Sequence, residues 1–261
     1  FLGLNYYTGI GLGFGIVILY IFSGGFLAVA WSDFFQGSLM FVGLLLLPVV
    51  AFFTISGSES VISGLNEIDP GLLNPWGAGG LTLMNLMSVL GLLSIGIGFM
   101  GSPQVYVRFI AIRDESEVEK GKWVAVIYTF LTDTAAVCIG LLGRYMLTRS
   151  GENPELILGT AGEDVLALVL GQVMPTIIIG IYIAAVLSAV MSTVDSLLVV
   201  ASSAVTRDFY QKILNPQVDE TTLMALSKKV TITLAVLALV VALAVSVLSP
   251  TRTVFWFVIF G

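Results

Sequence analysis

The sequence predicts an all-α polytopic membrane protein, and three observations predict it. Apolar residues fill 57% of the 261 positions and charged residues only 11%, with a mean hydropathy of +1.02. A soluble domain carries roughly 25% charged residues, so this chain has too few to coat a water-facing surface. Its apolar runs are each about 20 residues or longer, enough to cross a hydrocarbon core of ~30 Å as helices. The polar stretches between those runs are too short to hold a soluble domain, so residues 1–261 read as one transmembrane domain.

Seven spans follow in order. Residues 5–22 form a short glycine-rich span, closed by a tight turn at Ser23-Gly24-Gly25. Residues 27–55 form the second, and a loop with the breakers Pro70, Asn74 and Pro75 follows from Ser56 to Gly80. The third covers 81–103, ahead of a charged loop from Arg108 to Lys122. The fourth covers 123–147, with a loop from Thr148 to Asp164 behind it. Residues 165–206 hold the fifth, preceded by a short separate helix because Gly171 and Pro175 interrupt the run. A charged linker spans Arg207 to Lys229, and residues 230–248 form the sixth. Pro250 breaks that span, and a seventh begins near Thr253. Because the chain starts at Phe1 and stops inside the apolar run VFWFVIF, it is expected to be an internal piece of a longer protein.

Lysine and arginine set the orientation, since they are kept on the cytoplasmic side. Loops 104–122 and 207–229 hold Arg108, Arg113, Lys120, Lys122, Arg207, Lys212, Lys228 and Lys229. The alternating loops hold only Arg144, Arg149 and Arg252, so the tally is eight against three. Loops 104–122 and 207–229 are therefore expected in the cytoplasm, and the acidic loop with Glu59, Glu67 and Asp69 outside.

Composition also removes whole classes of chemistry. The chain has no histidine and a single cysteine, Cys138, in an apolar run. That excludes an intrachain disulfide, thiolate and most zinc sites, and histidine-based catalysis. The net charge of −6 is spread over loops, and nucleic acid is not a credible partner.

Three carboxylates stand inside apolar spans: Asp33, Asp133 and Asp195. A charge there costs on the order of 2.5–3.5 kcal/mol and marks a functional partner or a wet cavity. Asp33 lies roughly 13 Å from the inner end of its span and Asp195 roughly 18 Å from the inner end of its own, at a helical rise of 1.5 Å per residue. The two spans run in opposite directions, so both carboxylates fall in the cytoplasmic half. Ser188, Ser192, Asp195 and Ser196 share one helix face, with Thr193 beside them. Carboxylate and hydroxyl oxygens on one face suit a hard cation such as Na+, and Asp33 is read as the second carboxylate of that cage. The competing explanation for the hydroxyls is bonding to their own helix backbone or helix packing. Asp133, between Thr132 and Thr134, has no assigned role.

A second signal lies in the backbone. The third span ends GLLSIGIGFMGSPQ, with Gly91, Gly96, Gly98, Gly101 and Pro103. Glycine costs roughly 1 kcal/mol of helix propensity and proline about 3, which predicts an interrupted helix of the kind that exposes backbone to solutes in transporters. Close packing through small residues is the alternative.

Three stretches carry a resemblance: GGFLAVAWSDFFQGSLM (24–40), GIGFMGSPQVYVRFIAIRD (96–114) and LSAVMSTVDSLLVVASSAVTRDFYQ (187–211). Together they resemble the sodium:solute symporter family, and most closely its bacterial sodium/proline symporters. The resemblance implies part of a leucine-transporter-like fold of two inverted five-helix repeats, with about three spans before Phe1 and several after Gly261. It implies Na+ as coupling ion, with no organic cofactor, and a cell inner-membrane location. One family sodium site maps onto Ala189, Ser192 and Thr193, the rest of it lying on a helix outside this chain. A second, cytoplasmic-side site maps onto Asp33, Ser192, Asp195 and Ser196. Solute contacts map onto Ile95, Gly96, Gly98 and Phe99, and Ile95 stands where proline symporters carry a tryptophan.

The function expected is therefore import of a small organic solute, proline or a related amino acid or carboxylate first, coupled to sodium by alternating access. A solute-sensing membrane domain of a histidine kinase, and a symporter for pantothenate or another organic acid, are the alternatives. An intramembrane aspartyl protease also needs two membrane aspartates, but WSDFF and STVDS lack its motifs. No filter sequence of a channel is visible. No enzyme activity is expected.

Overall fold

The computed structural model describes residues 6–55, 61–76 and 79–248. Among them the order is α1 (Tyr6–Ile55), α2 (Val61–Ile68), α3 (Leu83–Met100), α4 (Pro103–Ile110), α5 (Glu115–Leu147), α6 (Pro154–Leu158), α7 (Val165–Val173), α8 (Thr176–Ser203) and α9 (Glu220–Leu248). Short 3-10 turns stand at Pro70–Leu73 and Thr160–Gly162, and α8 passes directly into a π-helical stretch, Ala204–Leu214. Five helical segments are long and apolar enough to cross a membrane: Val29–Ile55, Leu83–Met100, Glu115–Leu147, Thr176–Leu214 and Glu220–Val245. The chain is an all-α multi-pass membrane protein.

Among the described residues five of the expected spans have such segments, and residues 6–22 of the first are also helical. No turn forms at Ser23-Gly24-Gly25: α1 runs through these positions. Glycine weakens a helix by roughly 1 kcal/mol but keeps its backbone donor, so two glycines without a proline do not break the hydrogen-bond ladder. The seventh span, near Thr253, lies outside the described residues. The two charged loops are also largely helical. Residues 104–122 hold most of α4 and the start of α5, and 207–229 hold most of the π-helical stretch and the start of α9.

Helix ends follow local chemistry. Asp114 caps α5, accepting hydrogen bonds from the Ser116 and Glu117 amides at 2.9 and 3.2 Å. The Ser116 hydroxyl first, and then the Glu117 amide, hold the Asp114 carboxyl below its ordinary range. Thr82 caps α3 and Asn153 caps α6 in the same way. Pro175 has no amide hydrogen, and it separates α7 from α8 as expected.

The chain divides into two compact units. Described residues within 39–102 and 111–184 form one. Its core joins Leu47 and Ala51 of α1 to Ile139 and Leu142 of α5, Val165, Val169 and Leu170 of α7, and Tyr182 of α8. Gly143 lets α5 and α7 approach: a Cβ there would stand 2.6 Å from Val165 Cγ1. The Tyr182 hydroxyl donates to the Gly43 carbonyl at 2.6 Å.

Described residues within 1–38, 103–110 and 185–252 form the other unit. Leu198 of α8 and Ala235 of α9 are buried at its apolar contact, flanked by Phe14 and Ile18 of α1. Below that contact the helices are joined by hydroxyls. Thr231 donates to the Ser202 hydroxyl at 2.8 Å, and Ser202 donates to the Ser227 carbonyl at 3.1 Å. Arg207 then reaches both carboxylate oxygens of Glu220, at 3.0 and 3.4 Å.

Candidate functional site

Hydroxyls in apolar helices divide into two groups here. Ser32 donates to the Val29 carbonyl at 2.9 Å and Ser38 to the Phe34 carbonyl at 2.7 Å, each on its own helix. Thr132 and Thr134, beside Asp133, also bond back one turn, and Asp133 itself sits on an exposed face of α5. Ser192 and Ser196 do otherwise. One turn apart on α8, they point across to Asp33 on α1. Ser192 Oγ donates to Asp33 Oδ1 at 2.5 Å, and Ser196 Oγ stands 3.4 Å from Asp33 Oδ2. The i, i+4 spacing places both hydroxyls on the face that meets the carboxylate.

The third component comes from α4. Arg108 Nη2 donates to Asp33 Oδ2 at 2.5 Å and to Ser196 Oγ at 2.7 Å. One guanidinium nitrogen therefore caps a carboxylate oxygen and a hydroxyl oxygen together. The Asp33 side chain is only 16% exposed, the Arg108 side chain 50%. A hydrogen bond between charged partners is roughly twice as strong as a neutral one, and with little water around Asp33 it is weakly screened.

Of the residues read from the sequence, Asp33, Ser192 and Ser196 are brought together within one unit. Asp195, next to Ser196 on α8, is fully buried in that unit. Thr193 is exposed and bonds the Ala189 carbonyl on its own helix at 3.2 Å. Ile95, Gly96, Gly98 and Phe99 lie on α3, in the other unit. The interruption expected in GLLSIGIGFMGSPQ falls at its end: α3 is continuous through Gly91, Gly96 and Gly98 and stops at Met100, with Gly101 as its cap. Pro103 then opens α4 at a helix N-terminus, where its missing amide costs nothing.

Sequence reasoning missed Arg108, counting it among cytoplasmic loop charges. A signal was present: Arg108 is the one cation in PQVYVRFI, an otherwise largely apolar octet opened by proline. An isolated cation at such a place needs a carboxylate in reach.

Chemically, the site offers one carboxylate and two hydroxyls from two helices, with Asp195 buried beside them. All are hard oxygen donors. That donor set fits a hard monovalent cation, and the cluster already seats a positive group.

These features define a class, a multi-pass helical membrane protein with a charged, hydroxyl-lined site between helices. Residues 1–260 match the model of the family described as "Sodium:solute symporter family". The chain belongs to the sodium:solute symporter family. It is similar to the "High-affinity proline transporter PutP" of Bacillus subtilis (strain 168), 33% identical over 248 residues, covering 92% of this chain and 49% of that protein. The "Osmoregulated proline transporter OpuE" of the same organism is 29% identical over 245 residues, covering 92% of this chain and 47% of its own. A "Sodium/proline symporter" of Staphylococcus aureus is 32% identical over 212 residues, covering 81% and 39%. The chain thus spans half or less of the length of each of these relatives.

Proposed function

We propose that the complete protein is a sodium-coupled symporter that imports a small organic solute, proline or a related amino acid first, by alternating access. The observation that carries this reading is the gathering of Ser192 and Ser196 of α8 around the Asp33 carboxylate of α1. The sodium residues are Asp33, Ser192, Asp195 and Ser196 at one site, and Ala189, Ser192 and Thr193 at another completed from outside this chain. Solute contacts fall on Ile95, Gly96, Gly98 and Phe99, within a leucine-transporter-like inverted-repeat fold. The protein lies in the bacterial inner membrane with segments 104–122 and 207–229 in the cytoplasm, by the bias of lysine and arginine. Its relatives are named as transporters, which favours transport over a sensory role, and proline over pantothenate or another organic acid.

Sodium bound by oxygens of α1 and α8 holds these helices together. Its loss to the cytoplasm frees α8 and releases the solute. The test is uptake of labelled proline by the complete protein in vesicles, with sodium or choline outside. Uptake several-fold faster with sodium supports the reading. Equal uptake in the two salts overturns it.

A further inference from the structure

The guanidinium of Arg108 occupies the oxygens that the proposal above gives to sodium. Nη2 lies 2.5 Å from Asp33 Oδ2 and 2.7 Å from Ser196 Oγ. Asp33 Oδ1 is meanwhile held at 2.5 Å by Ser192. A cation seated on Asp33 Oδ2 and Ser196 Oγ needs the volume where Nη2 stands. Two cations held against the same Asp33 oxygen would also repel each other.

The geometry points to a tethered competitor: we infer that Arg108 and sodium take turns on Asp33, the guanidinium being the counter-ion that sodium displaces on binding and that expels sodium on release. This inference rests on the sodium reading of Asp33 and adds a residue outside the coordinating set. Two features of the chain suit Arg108 to alternation. Its side chain is half exposed, so no atom of the described residues closes over the guanidinium on that side, while Asp33 is 16% exposed and stays. It also hangs from α4, an eight-residue helix, on a long flexible stem, so the exchange needs side-chain rotation rather than movement of a span. Arginine keeps its charge at every physiological pH, so the exchange follows sodium concentration and not protons.

A residue that merely braces α4 against α1 would do the opposite on removal: the site would loosen and sodium would bind more weakly. Direction therefore separates the two roles. The experiment measures binding of radioactive sodium to the complete purified protein, together with the sodium dependence of proline uptake. Arg108→Gln removes the competitor and is expected to lower the sodium concentration for half-saturation by about tenfold or more, the scale of one charge-assisted hydrogen bond. It should also slow uptake, because sodium leaves late. Arg108→Lys restores a cation and is expected to return both quantities toward wild type. In the wild-type protein, modification of Arg108 by phenylglyoxal, read by mass spectrometry, is expected to be faster in sodium than in potassium; this arm stands even if Arg108→Gln does not fold. Unchanged or weaker sodium binding by folded Arg108→Gln overturns the inference, as does equal or slower modification in sodium. In those cases sodium binding by the wild type leaves the transport reading standing. Failure of the wild type to bind sodium removes both.

Discussion

Replacing Ser192 by alanine tests the site at its shortest contact contributed by a hydroxyl. Ser192 Oγ donates to Asp33 Oδ1 at 2.5 Å, and Asp33 is mostly shielded from water. A hydrogen bond to a charged group contributes about 1.5–3 kcal/mol. At 1.4 kcal/mol for each factor of ten, its loss corresponds to roughly 10- to 100-fold. Ser192→Ala removes the group that orients Asp33 and, with it, one oxygen proposed for the ion. The sodium concentration giving half-maximal proline uptake is expected to rise by that factor, with the solute's own saturation at high sodium little changed. Ser38→Ala supplies the contrast, because Ser38 bonds the Phe34 carbonyl of its own helix and leaves no partner behind in another. A double-mutant cycle sharpens the result: in an Asp33→Asn background the Ser192 effect should shrink to a small residue. If Ser192→Ala and Ser38→Ala give the same sodium dependence as wild type, the hydroxyl does not serve the ion and the reasoning fails.

Two further predictions concern the scaffold. Gly143→Ala places a Cβ 2.6 Å from Val165 Cγ1 and 3.1 Å from Val169 Cγ2, and overpacking of this kind costs about 1–3 kcal/mol. A lowered melting temperature of the purified protein is expected, with a larger drop than for Gly140→Ala, whose added Cβ meets no atom of the described residues within 4 Å beyond its own stretch of helix; equal melting of the two variants would contradict the packing of α5 on α7. Asp219 caps α9 by accepting from the Thr221 hydroxyl and from the Thr222 amide at 2.9 Å, and these bonds hold its carboxyl below the usual range. The sign follows: the cap is fully present above the ordinary carboxylate range and is lost as pH falls through the lowered value. Amide exchange at Thr222, corrected for its intrinsic pH dependence, should therefore lose protection in acid, and Asp219→Asn should flatten that response.

The fold class was legible because lipid demands it: a chain this apolar must satisfy its backbone internally, and helices do so. The break at Pro175 was legible because proline removes a donor, while the supposed turn at Ser23-Gly24-Gly25 was not, because glycine only weakens what its neighbours continue. The meeting of Asp33 with Ser192 and Ser196 could be read from depth and helical face alone. Arg108 could not, since its role depends on α4 bringing a residue near one helix end back to a carboxylate 75 positions earlier. Counting charges by loop treats every arginine alike and discards that information. The helical character of 207–229 was hidden for a related reason: polar side chains there, Arg207 with Glu220 and Ser227 with Ser202, join helices rather than marking a coil.

The fastening of α8 to α9 has a mechanical consequence. Ser202, Ser227 and Thr231 stitch the two rods just beyond Ser196, and Arg207 with Glu220 ties them again at the far end. Whatever tilts the Asp33-facing side of α8 must drag α9 along, so a displacement at the proposed ion site is carried by a paired lever rather than by a lone helix.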